Sequence, residues 1–403
     1  MSFKVLVVGA GAQGKIISTW LARWPDAAEV RLADIALDTA ADHVDRLGDT
    51  GVTAHYLDAS DTAAATELAR DVDLVVAAVT PPFVLSLMDA ALAAGAHYMD
   101  LAFGPPYELF DEQLKKDQAF RTAGLTALLC AGQSPGLTNL VASHSADELD
   151  ELRSIRIRMY DSVDGSADLA TWSAETLYGY FSLPPLVMQD GKVTTVPPFS
   201  NEEVCTFPPP FGPRTVVQHI HEEIPLMAHY LGHTGLQNID LKLGAPDVAE
   251  IRTIIQAGLW SDEPVDVDGV AVAPRDLMRE LLPKTSSPEE IEQFIQSGEL
   301  IDSAGVLVVE IDGILESAEM THTYTVTPPN LRVAHKLIPG ATHESYVTGT
   351  SAAVFAKAIG LGRVPSKGVI SADTFGPDER RFVLEELATV DIRVRRSSAT
   401  WLN

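Results

Sequence analysis

The sequence predicts an α/β protein in which a doubly wound parallel sheet is followed by an α+β domain with a mainly antiparallel sheet. Three observations support this prediction. Short apolar runs alternate with helical patterns through the first third of the 403 residues, a glycine-rich turn lies at 9–14, and strands joined by turns follow residue 140. Parallel strands need crossover helices, whereas antiparallel strands can be joined directly. We expect domains over 1–138, 139–344 and 345–403.

The first domain is predicted from the regular succession of its strands and helices. Each short apolar or β-branched run is followed by a stretch of helical periodicity. This rhythm is typical of one parallel sheet covered by helices on both faces. The predicted strands are 4–8, 30–34, 52–57, 74–79, 96–101 and 125–129.

The charge balance and the cysteines argue against several classes of function. Lys and Arg total 29 and Asp and Glu total 56, so the net charge is −27, and such a chain repels nucleic acids and anionic membranes. Cys130 and Cys205 lie far apart, which supports neither a disulfide framework nor a thiolate metal site. No apolar stretch approaches the roughly 20 residues that span a bilayer, and the first run suits a strand better than a secretory signal. We expect a cytoplasmic protein without nucleic acid or membrane partners.

The most informative motif is the turn Gly9-Ala10-Gly11-Ala12-Gln13-Gly14, which precedes a helix predicted over 15–23. It is a G-x-G-x-x-G pattern in the strand–turn–helix context that binds dinucleotides. The glycines permit a tight turn and close approach of a pyrophosphate, and the helix N-terminus supplies N–H donors and partial positive charge. The motif predicts a Rossmann-type site whose cofactor-binding residues are Gly9, Gly11, Ala12, Gln13 and Gly14.

The second predicted strand ends in Asp34, twenty residues after Gly14. A carboxylate there can accept hydrogen bonds from the adenosine ribose hydroxyls. A 2′-phosphate would lie against this negative charge, and residues 35–37 offer no cation to offset it. We therefore expect NAD to be preferred over NADP. The alternative is a glycine-rich turn with an ordinary helix N-cap at Asp34.

Loops at the carboxyl ends of later strands are expected to face one cleft, because open α/β sheets bind ligands at that edge. Thr80 and Pro81 follow the fourth strand and are predicted to line the nicotinamide side of the cofactor site. Gly132 lies in a Gly- and Pro-containing turn whose backbone can approach a ligand. Asp100 ends the fifth strand and is either a partner for a substrate ammonium or a strand-end cap. Cys130 is interpreted as a small buried residue.

The region from about residue 140 to 340 changes character, since strand-like alternation now comes with turns. Asp312-Gly313 is a hairpin signal, and apolar and threonine residues alternate along 320–327. One face of such a sheet could cover helices while the other pairs with a second subunit, so a homodimer is expected. The predicted strands are 155–160, 193–196, 215–220, 239–243, 306–311 and 320–326.

Several segments together resemble the saccharopine dehydrogenase-like oxidoreductases. The more family-specific of them are the loop with Pro135-Gly136-Leu137 and the pair Thr348-Gly349. Within this family the sequence most resembles the lysine 6-dehydrogenases, whose comparable loop also ends in Pro-Gly-Leu followed by Asn. The segments are 72–78, 88–95, 96–101, 133–139, 171–173, 196–199, 214–219, 345–350 and 368–371.

The resemblance implies a nicotinamide-linked enzyme acting on a carbon–nitrogen bond of an amino acid, such as lysine-type oxidation of an amine to an imine. It also implies that the segment 345–403 packs back on the nucleotide-binding domain. Reductive condensation of an amine with a keto acid or aldehyde, as in saccharopine, opine or carboxynorspermidine formation, stays open as an alternative. So does a non-catalytic nucleotide-binding sensor, because a fold alone does not establish catalysis.

Proton transfer on the amine needs a group whose pKa is near neutral, and histidine suits that work. A cluster in the second domain contains His219, His221, His229 and His233 with Glu222 and Glu223. His221 and Glu222 are the leading catalytic candidates, with Asp100 beside them. Two imidazoles at 219 and 221 on one strand face would also be compatible with a metal pair. The sequence indicates no third ligand, so we expect no metal.

An amino acid presents a carboxylate and an ammonium, which call for donors on one side and acidic groups on the other. Trp172, Ser173 and Glu175 could supply an apolar wall, a hydrogen bond and a counter-charge. Plain core packing is the alternative for Trp172. The other predicted substrate-binding residues are Tyr98, His219 and Thr348.

Overall fold

The computed structural model describes residues 2–104 and 107–401, apart from the side chain of Glu175. The first part of the chain alternates strand and helix as the sequence predicts. Its elements are β1 (Phe3–Val8), α1 (Ala12–Arg23), β2 (Ala27–Asp34), α2 (Leu37–Leu47), β3 (Val52–Tyr56), α3 (Thr62–Leu68), β4 (Leu74–Ala77), α4 (Val84–Ala94), β5 (His97–Asp100), α5 (Glu108–Leu114), α6 (Asp117–Ala123), β6 (Thr126–Leu128) and α7 (Leu137–Glu148).

The middle of the chain is richer in strands, several of them long. Its elements are β7 (Glu151–Gly165), α8 (Ala174–Ser182), β8 (Leu186–Gln189), β9 (Lys192–Thr195), β10 (Glu203–Phe207), β11 (Gly212–Gln218), α9 (Glu223–Leu231), β12 (Asn238–Gly244), α10 (Val248–Gln256), β13 (Val265–Val267), β14 (Val270–Val272), α11 (Pro274–Leu281), α12 (Pro288–Ser297), β15 (Leu300–Leu315), β16 (Ala318–Thr327) and α13 (Leu331–Leu337).

The last part of the chain returns to the first sheet and then leaves it. A short 3₁₀ turn, Ala372–Thr374, follows its first strand. The elements are α14 (His343–Gly360), β17 (Gly368–Ile370), α15 (Pro377–Thr389) and β18 (Arg393–Thr400).

The first sheet is parallel throughout, and within the described residues it has seven strands in the order β17-β6-β5-β4-β1-β2-β3. Side chains alternate across it: Val5 and Val7 belong to one buried cluster, and Leu6 and Val8 belong to another. Helices therefore cover both faces, and the predicted doubly wound arrangement is confirmed.

The second sheet runs β10-β11-β12-β7-β15-β16-β18, with β8 and β9 attached beside β12. The pairing of β7 with β12 is parallel, and the other pairings in this sheet are antiparallel. The predicted α+β character with a mainly antiparallel sheet is confirmed.

The predicted hairpin between the strands that flank Asp312-Gly313 is present, but the predicted position of its turn is wrong. Strand β15 continues through both residues, and the reversal comes at Glu316 and Ser317, whose φ values are +51° and +69°. Two positive φ values suit a two-residue hairpin turn. A Cβ on Gly313 would lie 2.3 Å from the carbonyl oxygen of Glu151. The glycine therefore permits close approach of a neighbouring strand.

The C-terminal segment contacts both sheets. Helix α14 crosses α1 where a Cβ on Gly349 would lie 2.8 Å from Ile16 Cβ, and β17 pairs with β6. The final strand, predicted over 390–394, begins instead at Arg393 and pairs with β16 of the second sheet. The predicted divisions at 138 and 344 stay predictions. Among the helices of residues 2–104 and 107–401, none is both long and apolar enough to cross a bilayer.

Candidate active site

The glycine turn has the geometry that its motif requires. Gly9 has a φ of +102°, and a Cβ there would lie 2.2 Å from the carbonyl oxygen of Ala78. A Cβ on Gly14 would lie 1.7 Å from the oxygen of Gly9, so two of the glycines make the turn possible. A Cβ on Gly11 would meet nothing within 4 Å. Helix α1 follows with no side-chain cap, and Gln13 Oε1 is buried without a protein partner. These features leave space and N–H donors that fit a pyrophosphate.

Asp34 ends β2 beside this turn. Its Oδ2 accepts a hydrogen bond from Ala10 N at 2.7 Å, and its Oδ1 accepts one from Ala36 N at 2.8 Å. The carboxylate is therefore fixed next to the turn, where ribose hydroxyls are expected. Arg31 precedes Asp34 on the same strand, but its guanidinium does not face the Asp34 carboxylate. It pairs with Glu29 and donates to two backbone carbonyls instead.

Across the sheet edge, the loop after β4 meets the loop after β5. A Cβ on Gly104 would lie 2.7 Å from Pro81 Cγ and 3.3 Å from the hydroxyl of Tyr180. The amide of Gly104 donates to Glu222 Oε1 at 3.0 Å. The second domain therefore reaches the loop that Thr80 and Pro81 begin.

His221 and two glutamates form the charged centre of this region. His221 Nδ1 lies 2.6 Å from Glu223 Oε2 and 3.3 Å from Glu222 Oε2. Glu222 is 3% exposed and Glu223 is 0% exposed. Residues 219–222 form the connection after β11, which ends at Gln218, two residues before the predicted end at 220. His221 Nε2 has no hydrogen-bond partner in the described part of the chain.

Burial and neighbouring charges shift the pKa values of His221, Glu222 and Glu223 in different ways. Burial would lower the pKa of His221, but the carboxylates of Glu223 and Glu222 outweigh it and raise that pKa to about 9. Burial raises the pKa of Glu222 against the opposing effect of His221. The pKa of Glu223 is lowered, because His221 and two hydroxyl donors overcome the effect of burial. The centre thus pairs an anionic Glu223 with a protonated His221 at neutral pH.

The two hydroxyls belong to Ser134, in the loop that follows β6, and to Thr138, in the first turn of α7. Ser134 Oγ makes a short hydrogen bond to Glu223 Oε1, and Thr138 Oγ1 donates to the same oxygen at 2.9 Å. The loop begins at Gly132, where a Cβ would lie 3.4 Å from Thr348 Cγ2. Thr348 is partly exposed between the buried residues Val347 and Gly349 of α14. The loop that carries the family resemblance therefore contacts both the charged centre around His221 and helix α14.

Close approaches and hydrogen bonds, joined by short stretches of chain, form a ring at the carboxyl edge of the parallel sheet. The ring returns to the glycine turn because a Cβ on Gly349 would lie 2.8 Å from Gln13 Oε1. It brings together predicted cofactor, catalytic and substrate residues from distant parts of the chain. In order, its members are Gly9, Ala78, Pro81, Gly104, Glu222, His221, Glu223, Thr138, Gly132, Thr348, Gly349 and Gln13.

Asp100 and Tyr98 lie beneath the ring. Asp100 accepts hydrogen bonds from Cys130 N at 2.7 Å, Gln113 Nε2 at 2.6 Å and Tyr98 OH at 3.1 Å. Tyr98 and Asp100 are both 0% exposed. Burial raises the pKa of Asp100 to about 7. Its donors all come from the protein, which favours the strand-end cap over the substrate partner. Cys130 is buried, and burial raises its pKa.

His219 lies against aromatic rings. Its ring centroid is 4.5 Å from that of Phe181 and 6.2 Å from that of His221. Burial, followed by the positive charge of His221, lowers the pKa of His219 to about 3. Its Nδ1 is buried without a protein partner. In residues 2–104 and 107–401, no group of three or more His, Cys, Asp or Glu side chains could hold a metal ion.

Trp172 lies beside α14 and adds further polar groups to the site. Its indole N–H makes a short hydrogen bond to Glu344 Oε1, and its side chain stays 43% exposed. Burial and the neighbouring Asp161 raise the pKa of Glu344 to about 7. Asp161 is held by His343 Nε2 at 2.9 Å. Ser173, in contrast, caps α8 by accepting from Thr176 N at 3.1 Å. The predicted counter-charge, the Glu175 side chain, lies outside the described residues.

Several residues of this site could not be identified from the sequence. Glu223 lies in the histidine cluster with no role indicated by its pattern, and Ser134 and Thr138 lie within the segment 133–139 that carries the family resemblance. Their Ser-Pro-Gly-Leu-Thr context was the available signal. Glu344 carried no local signal, because its partner Trp172 lies 172 residues away.

Two protein-family models match the chain and together cover most of it. The model described as the saccharopine dehydrogenase NADP binding domain matches residues 5–128. The model described as the saccharopine dehydrogenase C-terminal domain matches residues 132–392.

Similar curated proteins include two enzymes named for carboxyalkylated amines. A carboxyaminopropylagmatine dehydrogenase from Synechocystis sp. is 24% identical over 383 residues, 93% of each chain. A carboxynorspermidine synthase from Vibrio alginolyticus is 25% identical over 249 residues, 58% of this chain and 59% of that protein.

The fold itself is found in a solved structure. The apo saccharopine dehydrogenase (L-Glu forming) from Saccharomyces cerevisiae superposes with a TM-score of 0.71 at 16% identity, covering 99% of this chain and 100% of the other.

Proposed function

The chain belongs to the saccharopine dehydrogenase family, and on that premise we propose that it is an NAD(P)-dependent oxidoreductase that interconverts an amine and an imine of an amino-acid-like substrate. The observation that supports this most is the ring, which joins a glycine turn to a partly exposed His221 between two buried carboxylates. A nucleotide site and a proton-transfer group therefore face one cleft, as a hydride-transfer enzyme requires.

The cofactor is held by the first sheet in this proposal. The turn around Gly11 and the N-terminus of α1 would hold the pyrophosphate, and Asp34 would hold the adenosine ribose. When bound, the nicotinamide supplies or accepts the hydride. Asp34 and the absence of a cation at 35–37 favour NAD over NADP.

His221 moves the proton. Its Nδ1 is engaged by the glutamates, so Nε2 is the nitrogen that can exchange a proton with the substrate amine. In the reductive direction, an amine and a carbonyl compound lose water to form an imine. The imine carbon then receives the hydride and the imine nitrogen receives the proton. Glu223 stabilises the imidazolium before the transfer, and Glu222, held by the amide of Gly104, adds a second carboxylate beside His221.

At neutral pH His221 is in the protonated form that the reductive reaction needs. With a pKa of about 9, His221 is a proton donor below that pH and a base above it. Relatives named a carboxynorspermidine synthase and a carboxyaminopropylagmatine dehydrogenase support the same chemistry. Lysine-type oxidation would run the same site in reverse. A homodimeric state and a cytoplasmic location stay predictions.

The amine substrate is proposed to carry a second positive charge. Glu344 and Asp161 are acidic, and the exposed indole of Trp172 offers a face for a cation. Met159 links them to the reaction centre: its sulfur lies 3.7 Å from Ser134 Oγ, and Asp161 follows two residues later on the same face of β7. A diamine or guanidino amine could reach from His221 at one end of the cleft to Glu344 and Asp161 at the other.

A substrate panel tests the proposal. Purified protein is incubated with NADH or NADPH, keto acids or aldehydes, and a set of monoamines, diamines, guanidino amines and amino acids. Cofactor absorbance and the product masses are followed. We expect cofactor oxidation with a secondary-amine product, and faster turnover for amines with a second cationic group. The contrary outcome is a protein that binds NADH yet turns over no combination of amine and carbonyl compound, and no amino acid with NAD. That result would favour the non-catalytic nucleotide-binding sensor.

Glu344→Gln sharpens this test. Removing the carboxylate should raise KM for a dicationic amine about tenfold, since a charge-assisted contact contributes roughly 1.5 kcal/mol, with little change in kcat. Glu385→Gln, which removes an exposed charge on α15, is the matched control. Equal KM values for both variants would exclude Glu344 from substrate binding.

A further inference from the structure

A hydrogen-bonded chain connects the C-terminal segment with the reaction centre. It begins at Asp373, in the turn after β17, where the residue is 6% exposed. Asp373 Oδ2 accepts from Asn139 Nδ2 at 2.8 Å and makes a short hydrogen bond with Ser371 Oγ. Asp373 and Asn139 are 234 residues apart in sequence, so only the fold brings them together.

Asn139 passes this contact to the loop after β6. Its Oδ1 accepts from Gly136 N at 2.9 Å. The adjacent Thr138, whose hydroxyl hydrogen goes to Glu223, is linked to Asn139 through the backbone of α7. Because Nδ2 is engaged by Asp373, the carboxamide can only present its oxygen to Gly136. Asp373 thereby determines the orientation of Asn139, and Asn139 holds the start of α7.

The loop in turn holds the carboxylate of the reaction centre. Ser134 and Thr138 both donate to Glu223 Oε1, while Glu223 Oε2 lies 2.6 Å from His221 Nδ1. The chain from Asp373 therefore ends on the residue whose charge keeps His221 protonated. The side-chain hydrogen bonds of Asp373 go to Asn139 and Ser371 rather than to Glu223 or His221, and burial, together with the charge of Glu223, raises the pKa of Asp373 to about 7.

We propose that Asp373 is a positioning residue that acts through Asn139 and Thr138 to hold Glu223 against His221. The competing explanation is that Asp373 only anchors β17 on the sheet. In the first case, loss of its carboxylate loosens the Glu223–His221 ion pair. In the second case, loss of the carboxylate lowers the stability of the protein and leaves the Glu223–His221 ion pair unchanged. The positioning role of Asp373 rests on the proposed function only in the experiments that measure activity.

The direct test is the titration of His221 by NMR in the full-length protein labelled at histidine, which needs no turnover. In Asp373→Ala we expect the pKa of His221 to fall by about one unit, because a weaker ion pair stabilises the imidazolium less. Asp373→Asn keeps an oxygen that accepts from Asn139 and should restore the wild-type titration. Thr374→Val, whose hydroxyl donates to Ser371 O at 2.8 Å in the same turn, is the matched control and should titrate as wild type.

Activity gives a second readout. Asp373→Ala should lower kcat about tenfold, within the range of coupling between contacting residues, with an unchanged Kd for the dinucleotide. If that variant does not fold, Thr138→Val removes the last donor of the chain and should produce the same shift at His221. In a folded Asp373→Ala protein, adding Thr138→Val should cause little further change.

An unchanged His221 titration in both Asp373→Ala and Thr138→Val would overturn the proposal, as would equal behaviour of Asp373→Ala and Thr374→Val. Absence of turnover with a shifted His221 titration would instead contradict the proposed function and leave the positioning role of Asp373 supported.

Discussion

The glycine turn and the His221 centre lie at the same sheet edge but are built in opposite ways. The turn is made by six consecutive residues, and its close contacts are with Ala78 and within the turn itself. The His221 centre takes side chains from α9, from the loop after β6 and from the connection after β11. One is a local backbone structure, and the other is an assembly of side chains from separate elements.

The difference shows what each part tolerates. At Gly9 and Gly14 of the turn, backbone atoms approach so closely that a single methyl group cannot fit. In the His221 centre, charge and hydrogen bonding set the properties, so a substitution can keep the fold and change the proton affinity. Four predictions test this contrast.

The largest effect is expected in the turn. Gly14→Ala places a Cβ 1.7 Å from the oxygen of Gly9, and we expect a loss of about 3 kcal/mol in the free energy of unfolding, since overpacking costs this order. Gly11→Ala meets no neighbour within 4 Å. It should melt as wild type but bind NADH more weakly, because the methyl group occupies the pyrophosphate space. Thermal melting and fluorescence titration measure both. Normal NADH affinity in Gly11→Ala would contradict the assignment of the turn.

The next effect is expected at His221. His221→Gln should lower kcat by about 10²- to 10⁴-fold, the usual contribution of a general acid or base, with unchanged melting in the absence of substrate. His229→Gln, on the same helix as Glu223, is the control and should retain activity.

The pH dependence follows from the same group. Its pKa of about 9 keeps the imidazolium below that pH, so the reductive rate should fall as pH rises through about 9, while the oxidative rate should rise. His221→Gln should abolish both transitions. Reductive rates that stay flat to pH 10 would argue against His221 as the proton donor.

The smallest effect is expected at Asp34. Asp34→Asn keeps an oxygen that can accept from the backbone but loses the charge, so the ratio of kcat/KM for NAD(H) over NADP(H) should fall about tenfold, or roughly 1.4 kcal/mol. Steady-state kinetics with both cofactors measures it. An unchanged ratio would show that Asp34 does not discriminate at the 2′-position.

Much of the fold could be predicted from the amino-acid order because the governing interactions are local. Alternating apolar runs and helices specify a parallel sheet, and the G-x-G-x-x-G turn specifies its own conformation. Errors arose where one pattern has two physical causes. Asp312-Gly313 reads as a turn, yet Gly313 is present because the backbone of Glu151 lies close to it.

Periodicity, spacing and charge in the sequence alone established the doubly wound sheet, the nucleotide turn and the candidates His221 and Glu222. Tertiary structure decided what surrounds them: Glu223 and its hydroxyl donors, Glu344 beside Trp172, and Asp373 at the end of the chain of contacts. The physical reason is that the proton affinity of a buried group depends on neighbours in space. Those neighbours come from distant parts of the chain.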